Sequence, residues 1–406
     1  MLEISPQRTT LKFNLNHNKT MPFTFQDWFC LKQDRTGFLP RIPEDAGLIF
    51  CHDQILNNEI LGSIEAAFAK KEPVKMLIYG DWGVGKTHLL YHVQHWLLQN
   101  AADYPVTTLI IEIGDLTKAS RFDEVVRPFL DKLGLEGLIK IVHDYRGIKP
   151  NITQALRESG VSAQVAEAFS KLLLASPGSA PPQAAVTAFE YLKGRDIGRA
   201  AALTGLSDTL EQSQDFFDVL KSLGEMHMAV HQHRLLFIAD EAAKLEDVSQ
   251  DIYTEQHWLN VNKLIFADEN RSFGFIYTIS ARRAGDLPNV LFEAQIRNRL
   301  GENVFELKNL ATNDVQEYLK KLIESFVDKA KVEALVTAGT IPAAQYDWNS
   351  YPFTHSAKAE FVEYFNRTQE ASKPRDISKK LDDVAFVAGK MGKRLIDEDC
   401  LRAKKM

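Results

Sequence analysis

Gly80-Asp81-Trp82-Gly83-Val84-Gly85-Lys86-Thr87 fits the phosphate-binding loop pattern G-x-x-x-x-G-K-[ST], which makes sense only between a buried strand and a helix. Both flanks are present. Lys75-Met76-Leu77-Ile78-Tyr79 reads as a short buried strand, and the residues from His88 to Leu98 read as a helix. Glycines let successive amide N–H groups turn towards phosphate oxygens, and the helix N-terminus adds the positive end of its dipole. Gly80 to His88 is therefore expected to bind a nucleoside triphosphate, with Lys86 on the β and γ phosphates and Thr87 on Mg²⁺.

The chain of 406 residues exceeds the usual size of one domain, so two packed units or one core with large insertions are expected. A net charge of -6 excludes binding to nucleic acid through bulk charge and leaves room only for a local basic patch. Cys30, Cys51 and Cys400 are far apart and odd in number, which suggests neither a disulfide framework nor a Cys-x-x-Cys metal site. No apolar run approaches the length of a membrane span, and Met1 to Pro6 lacks a basic-then-apolar export signal, so a cytoplasmic setting is expected.

Residues 1–45 mix aromatics with Pro40 and Pro43 and read as an N-terminal strap. From Asp53 to Ala69, Ile55, Leu56, Ile60, Leu61, Ile64 and Phe68 recur at helical spacing. Four further strands are expected at Val106 to Ile113, Arg234 to Ala239, Phe273 to Ile279 and Asn303 to Leu307. Strands separated by helices predict an α/β fold, a parallel five-stranded sheet covered on both faces. The stretch 121–233 is mostly helical and is broken by Ser176-Pro177-Gly178-Ser179-Ala180-Pro181-Pro182, which marks it as an insertion in a core spanning 46–307. From 308 to 406 only helices are expected; one carries Val315, Leu319, Leu322 and Phe326 on one face, and another begins near Pro374.

The strand Arg234 to Ala239 runs into Asp240-Glu241, one carboxylate for Mg²⁺ and one to polarise the attacking water, since hydrolysis of a triphosphate is mostly positioning and charge neutralisation. The next strand ends with Thr278 and Ser280, both able to hydrogen-bond a γ-phosphate or the lytic water. Glu293 to Leu300 ends a helical stretch with Arg297 and Arg299, and Lys373-Pro374-Arg375-Asp376 opens a later helix. This ensemble resembles the AAA+ ATPases, in particular their origin-recognition and initiator-like clade. The resemblance implies that Thr278 or Ser280 is the first sensor, that Arg299 (or Arg297) is an arginine finger given to a neighbour's ATP, and that Arg375 is the second-sensor arginine of a helical lid over 308–406. It also implies an ATP-dependent ring or spiral of identical chains.

More than a hundred residues separate the second strand from Asp240, where initiator-like ATPases cross with little more than one helix. That length looks more like the ATP-binding proteins of bacterial phage-resistance systems such as the BREX group. No winged-helix segment follows the lid in this sequence, so origin binding is not expected. The spacing of His88, His92 and His95 invites a metal, but packing or surface roles are expected, as they are for His227, His231 and His233. Arg199 to Ser207 has the texture of a helix-turn-helix corner, yet Asp208, Glu211, Asp215 and Asp218 follow it and would repel phosphate. The Lys and Arg residues from Lys373 to Lys405 are read as a solvated face, with DNA contact the less favoured use. The expected function is hydrolysis of ATP to drive assembly or remodelling of a multi-protein complex, with partners encoded nearby, in anti-phage defence or mobile-element control. A DNA-loading ATPase and a slow nucleotide-state switch are the alternatives.

Overall fold

The computed structural model describes residues 24–49, 51–114, 116–117, 119–242, 245–248, 250–368 and 372–406. The first 23 residues of the strap, Phe23 among them, lie outside this set. The described chain divides into two compact units, one of residues 39–325 with 362–380, the other of residues 24–38, 326–361 and 381–406.

The larger unit is built on five parallel strands: β1 (Lys75–Gly80), β2 (Val106–Glu112), β3 (Arg234–Asp240), β4 (Phe273–Ser280) and β5 (Val304–Leu307). Their order is β2-β3-β4-β1-β5, so β4 lies between the strand that leads into the phosphate loop and the strand that ends in Asp240. The α/β class and the five strands match the expectation from sequence, with edges shifted by a residue. Because side chains alternate across a strand, odd and even positions feed two separate cores. Leu77, Tyr79, Leu235, Phe237, Phe275 and Tyr277 enter one, while Met76, Ile78, Leu236, Ile238, Ile276 and Phe305 enter the other.

The second core is covered by α1 (Lys86–Gln99), through Leu89, Leu90, Val93 and Leu97, and by the helix before β1. That earlier helix departs from the single α-helix expected. Its first part, Ile55–Leu61, is wound in wider i→i+5 turns before the α-helical Gly62–Ala69, yet Leu56, Ile60, Leu61 and Ile64 all stay buried. The first core is covered by α2 (Asp123–Ile148), α3 (Ser213–His231) and α4 (Ile252–Ala267). Phe129 of α2 wedges against Phe237 and Phe275, with ring centroids 4.9 and 6.0 Å apart. Helices α2 and α3 from the stretch 121–233, together with α4 after β3, thus supply one of the two layers that bury the sheet.

The corner at Arg199 to Ser207 is a short helical turn, Ala201–Thr204, closed by Gly205 at φ 72°. The next helix starts only at Ser213, later than a helix-turn-helix requires, so Asp208 and Glu211 precede it. Asp215 and Asp218 turn inward instead of facing solvent. Asp218 accepts the Ser162 N–H at 2.7 Å and Asp215 accepts the Ser162 hydroxyl at 3.1 Å, which ties the start of the helix Ala163–Lys171 to α3.

Two further elements reach the site, α6 (Thr312–Phe326) and the first turns of α7 (Pro374–Lys390), whereas no residue of α5 (Ala294–Leu300) lines it. In the smaller unit, Phe38 meets Phe25 and Phe29 edge to face, those two rings pack tilted on each other, and Asp382 accepts the Phe38 N–H at 2.6 Å. Among the described residues no helix is long and apolar enough to cross a membrane.

Candidate nucleotide-binding site

The phosphate loop leaves β1 at Gly80, where a Cβ would stand 2.4 Å from the Leu307 carbonyl oxygen; only glycine lets β5 pair this close to the loop. At the other end Gly85 adopts φ 103°, a region open to glycine and closed to most side chains, and α1 begins on the next residue. Val84 between them is fully buried, and the buried His52 ring donates to its carbonyl at 2.9 Å. The loop is therefore anchored from inside and not merely placed by its ends.

Lys86 is 7% exposed, and its ammonium donates to the Gly80 and Asp81 carbonyls, each at 3.0 Å. Burial pushes its pKa down to about 8, against the upward pull of Asp240, Asp81 and Glu241. Thr87 donates to Asp240 Oδ2 at 2.6 Å, and Thr278, wholly buried, donates to Oδ1 of the same carboxylate. Asp240 is 4% exposed and is thus held at both oxygens, as a buried carboxylate must be. Thr87 and Asp240 present adjacent hard oxygens, a donor set that fits Mg²⁺, whose remaining ligands come from phosphate and water. Among the described residues no three His, Cys, Asp or Glu side chains form a metal group; His88 is buried, His92 half-buried and His95 exposed. His92 meets the Ala46 carbonyl oxygen at 2.6 Å, and His95 meets Gln99 at 2.7 Å.

Glu241 adopts φ 58°, the left-handed region that a glutamate enters at a cost of about 1 kcal/mol. The turn sends its side chain into the same cavity as Lys86, Thr87, Asp240 and Ser280, a space of about 370 Å³ that also reaches His88 and Arg375. Burial holds the His88 imidazole down to about 4, so it is uncharged near neutrality. Thr278 and Ser280 separate here: Thr278 is spent on Asp240, while Ser280 faces the cavity.

Arg375 and its neighbours come from the start of α7. The Arg375 guanidinium lies over the Trp82 ring, 4.3 Å from its centroid, and Lys373 donates to Asp81 at 2.8 Å. That hydrogen bond holds the Asp81 carboxyl below its ordinary pKa. All of these residues belong to the larger unit. Leu39, Pro40, Ile42 and Tyr318 add an apolar wall suited to a base. Sequence reasoning overlooked that wall and the Lys373 contact, because the pattern around Pro374 marked a helix start and nothing in residues 39–42 marks a ligand.

Arg297 and Arg299 do not join this group. Both are exposed on α5; Arg297 lies over the Phe292 ring, and Arg299 acts on Lys75, at the end of β1 opposite the loop. The basic residues near the C-terminus are engaged locally. Lys393 pairs with Asp397 and Asp399, Arg394 covers Trp28, and Lys404 pairs with Asp383.

Comparison with solved structures finds similar chains at low identity. The Aeropyrum pernix ORC1 protein in complex with DNA gives a TM-score of 0.45 at 12% identity, over 90% of this chain and 67% of that one. Cdc6p from Pyrobaculum aerophilum gives 0.44 at 10% identity, over 90% and 69%. The Thermotoga maritima RuvB Holliday junction branch migration motor gives 0.38 at 11% identity, over 90% and 71%. No activity is carried over from likenesses at this level. No curated protein matches the sequence. The pattern of the KAP family P-loop domain matches residues 57–271, a span that holds both the loop at Gly80 to Thr87 and the Asp240-Glu241 strand end. With more than half of its length and both halves of the phosphate site inside that match, the chain belongs to the KAP family of P-loop NTPases.

Proposed function

We propose that this chain binds ATP with Mg²⁺ and hydrolyses it to drive assembly or remodelling of a multi-protein complex. The observation that carries the reading is the convergence of Lys86, Thr87, Asp240, Glu241 and Ser280 on one cavity from three separate chain segments. Lys86 exchanges its two carbonyl partners for phosphate oxygens. Thr87 and Asp240 hold Mg²⁺, which supplies charge neutralisation on the phosphates when bound. Glu241 orients a water molecule and accepts its proton, while Ser280 hydrogen-bonds the terminal phosphate. Thr278 acts one step back by keeping the Asp240 carboxylate oriented.

Arg299 is exposed and stands away from its own cavity, which suits a guanidinium offered to a neighbouring copy. Hydrolysis at interfaces between identical chains, in a ring or spiral, is part of this proposal. So is a setting in bacterial phage defence or mobile-element control, for which the support is the long crossover between β2 and β3. The test is Glu241→Gln. The variant is expected to bind ATP as wild type does and to lose hydrolysis by about 100-fold or more. Equal turnover by the two proteins would remove Glu241 from its role.

A further inference from the structure

Three cations face the cavity or its loop, and each rests on a partner that belongs to the phosphate loop itself. Lys86 lies on the loop's carbonyls, Arg375 on the Trp82 ring and Lys373 on the Asp81 carboxylate. The Lys373 stem crosses Gly83: a Cβ at that glycine would lie 3.6 Å from Lys373 Cδ. Asp81 has a second cation in reach, since Arg282 Nε stands 4.0 Å from the other carboxylate oxygen, which also accepts the Trp82 N–H at 2.8 Å. Loss of Lys373 therefore does not leave Asp81 without compensation.

Position along the cavity follows from strand register. Gly80 pairs with Ser280, so Asp81 and Arg282 both lie just beyond the strand ends at the Ser280 side. In the proposed reading, with Ser280 on the terminal phosphate, that is the side where this phosphate belongs. A part-exposed ion pair of this kind is weak, and a lysine's long stem lets its ammonium change partner without moving the backbone. A phosphate oxygen carrying more charge than a carboxylate oxygen is the better acceptor.

We propose that Lys373 is a cation that reads the terminal phosphate of a bound triphosphate, held in store on Asp81 until that phosphate arrives. The proposal rests on the reading of the cavity as an ATP site. A diphosphate has no terminal group to draw Lys373 away, so Asp81 keeps it. The pair thereby sets preference between triphosphate and diphosphate and couples the nucleotide's state to the start of α7.

Calorimetric titration of the full chain with Mg²⁺ and either ADP or the β,γ-imido analogue of ATP tests this. Lys373→Met should weaken the analogue about tenfold and leave ADP within about twofold. Asp81→Asn should tighten the analogue and not ADP, the double variant should behave as Lys373→Met, and Lys373→Arg should restore the wild-type preference. Thermal melts establish that each variant is folded. Equal loss of both nucleotides in Lys373→Met would make the pair a structural staple and overturn the proposal, as would no change in either. If wild type takes up neither nucleotide, the ATP-site reading falls and this proposal with it. Retained wild-type binding with unselective variants defeats the proposal alone.

Discussion

At the scale of single residues, the cations of the site are satisfied by the loop's own carbonyls, carboxylate and ring. Lys86 is stripped of water and satisfied by two carbonyls, which leaves its ammonium less basic than usual, at about 8. Phosphate oxygens would favour the charged form, so its pKa must be higher in the complex than in the free protein. Binding then takes up a proton once the free protein has begun to lose one, and affinity for ATP should fall as pH rises above 8, by up to about tenfold per unit. Titration calorimetry in two buffers of different ionisation enthalpy reads that proton directly; no uptake at pH 9 would show that Lys86 does not meet phosphate. Lys86, Thr87, Asp240 and Glu241 were legible in the sequence because each lies in a contiguous signature whose spacing reports its chemistry. The choice between Thr278 and Ser280 was not, since residues two apart in a strand share a face and differ only in how far along it they sit, and the hydrogen bond from Thr278 to Asp240 separates them.

Elements show a second kind of dependence, in which one buried group fixes a whole segment. In the smaller unit Asp382 accepts the Phe38 N–H, and burial pushes its carboxyl up from 3.8 to about 6. The folded state binds this proton more tightly than the unfolded chain does, so the group's contribution to stability is greatest below pH 4 and declines as pH rises towards 6. Asp382→Asn keeps an acceptor and removes the charge. It should match wild type near pH 4 and gain on the order of 2 kcal/mol relative to it above pH 6, seen as a rise in melting temperature. A constant difference at both pH values would exclude a buried charge as the cause. Helix and strand positions were largely readable from apolar spacing, which reports burial along one segment. The i→i+5 turns of Ile55–Leu61 and the late start of α3 were not, since both depend on what the segment packs against. Asp215 and Asp218 illustrate this: their charge suggests an exposed face, whereas the Ser162 amide and hydroxyl draw them inside.

For the whole molecule, the proposal that copies share a site is open to a direct test. Arg299 is exposed and distant from its own cavity, so a chain lacking Lys86 and a chain lacking Arg299 are each expected to be inactive alone. Mixed, they should regain part of wild-type turnover, because some interfaces then pair an intact loop with an intact arginine; the measurement is steady-state ATPase activity across mixing ratios. Failure of every mixture to recover activity would remove the shared site. Particle mass with and without ATP reports the assembly itself. The linear pattern suffices for the P-loop NTPase class, the loop motif, the acidic strand end and the parallel sheet, because these depend on local spacing and on the two-residue and 3.6-residue periods. The packing supplies the rest: β4 separates β1 from β3, helices α2, α3 and α4 form one covering layer of the sheet, and the start of α7 brings Lys373 to Asp81 and Arg375 to Trp82. Those contacts join segments hundreds of residues apart, and no local pattern along a chain records which distant side chain will neutralise its charge.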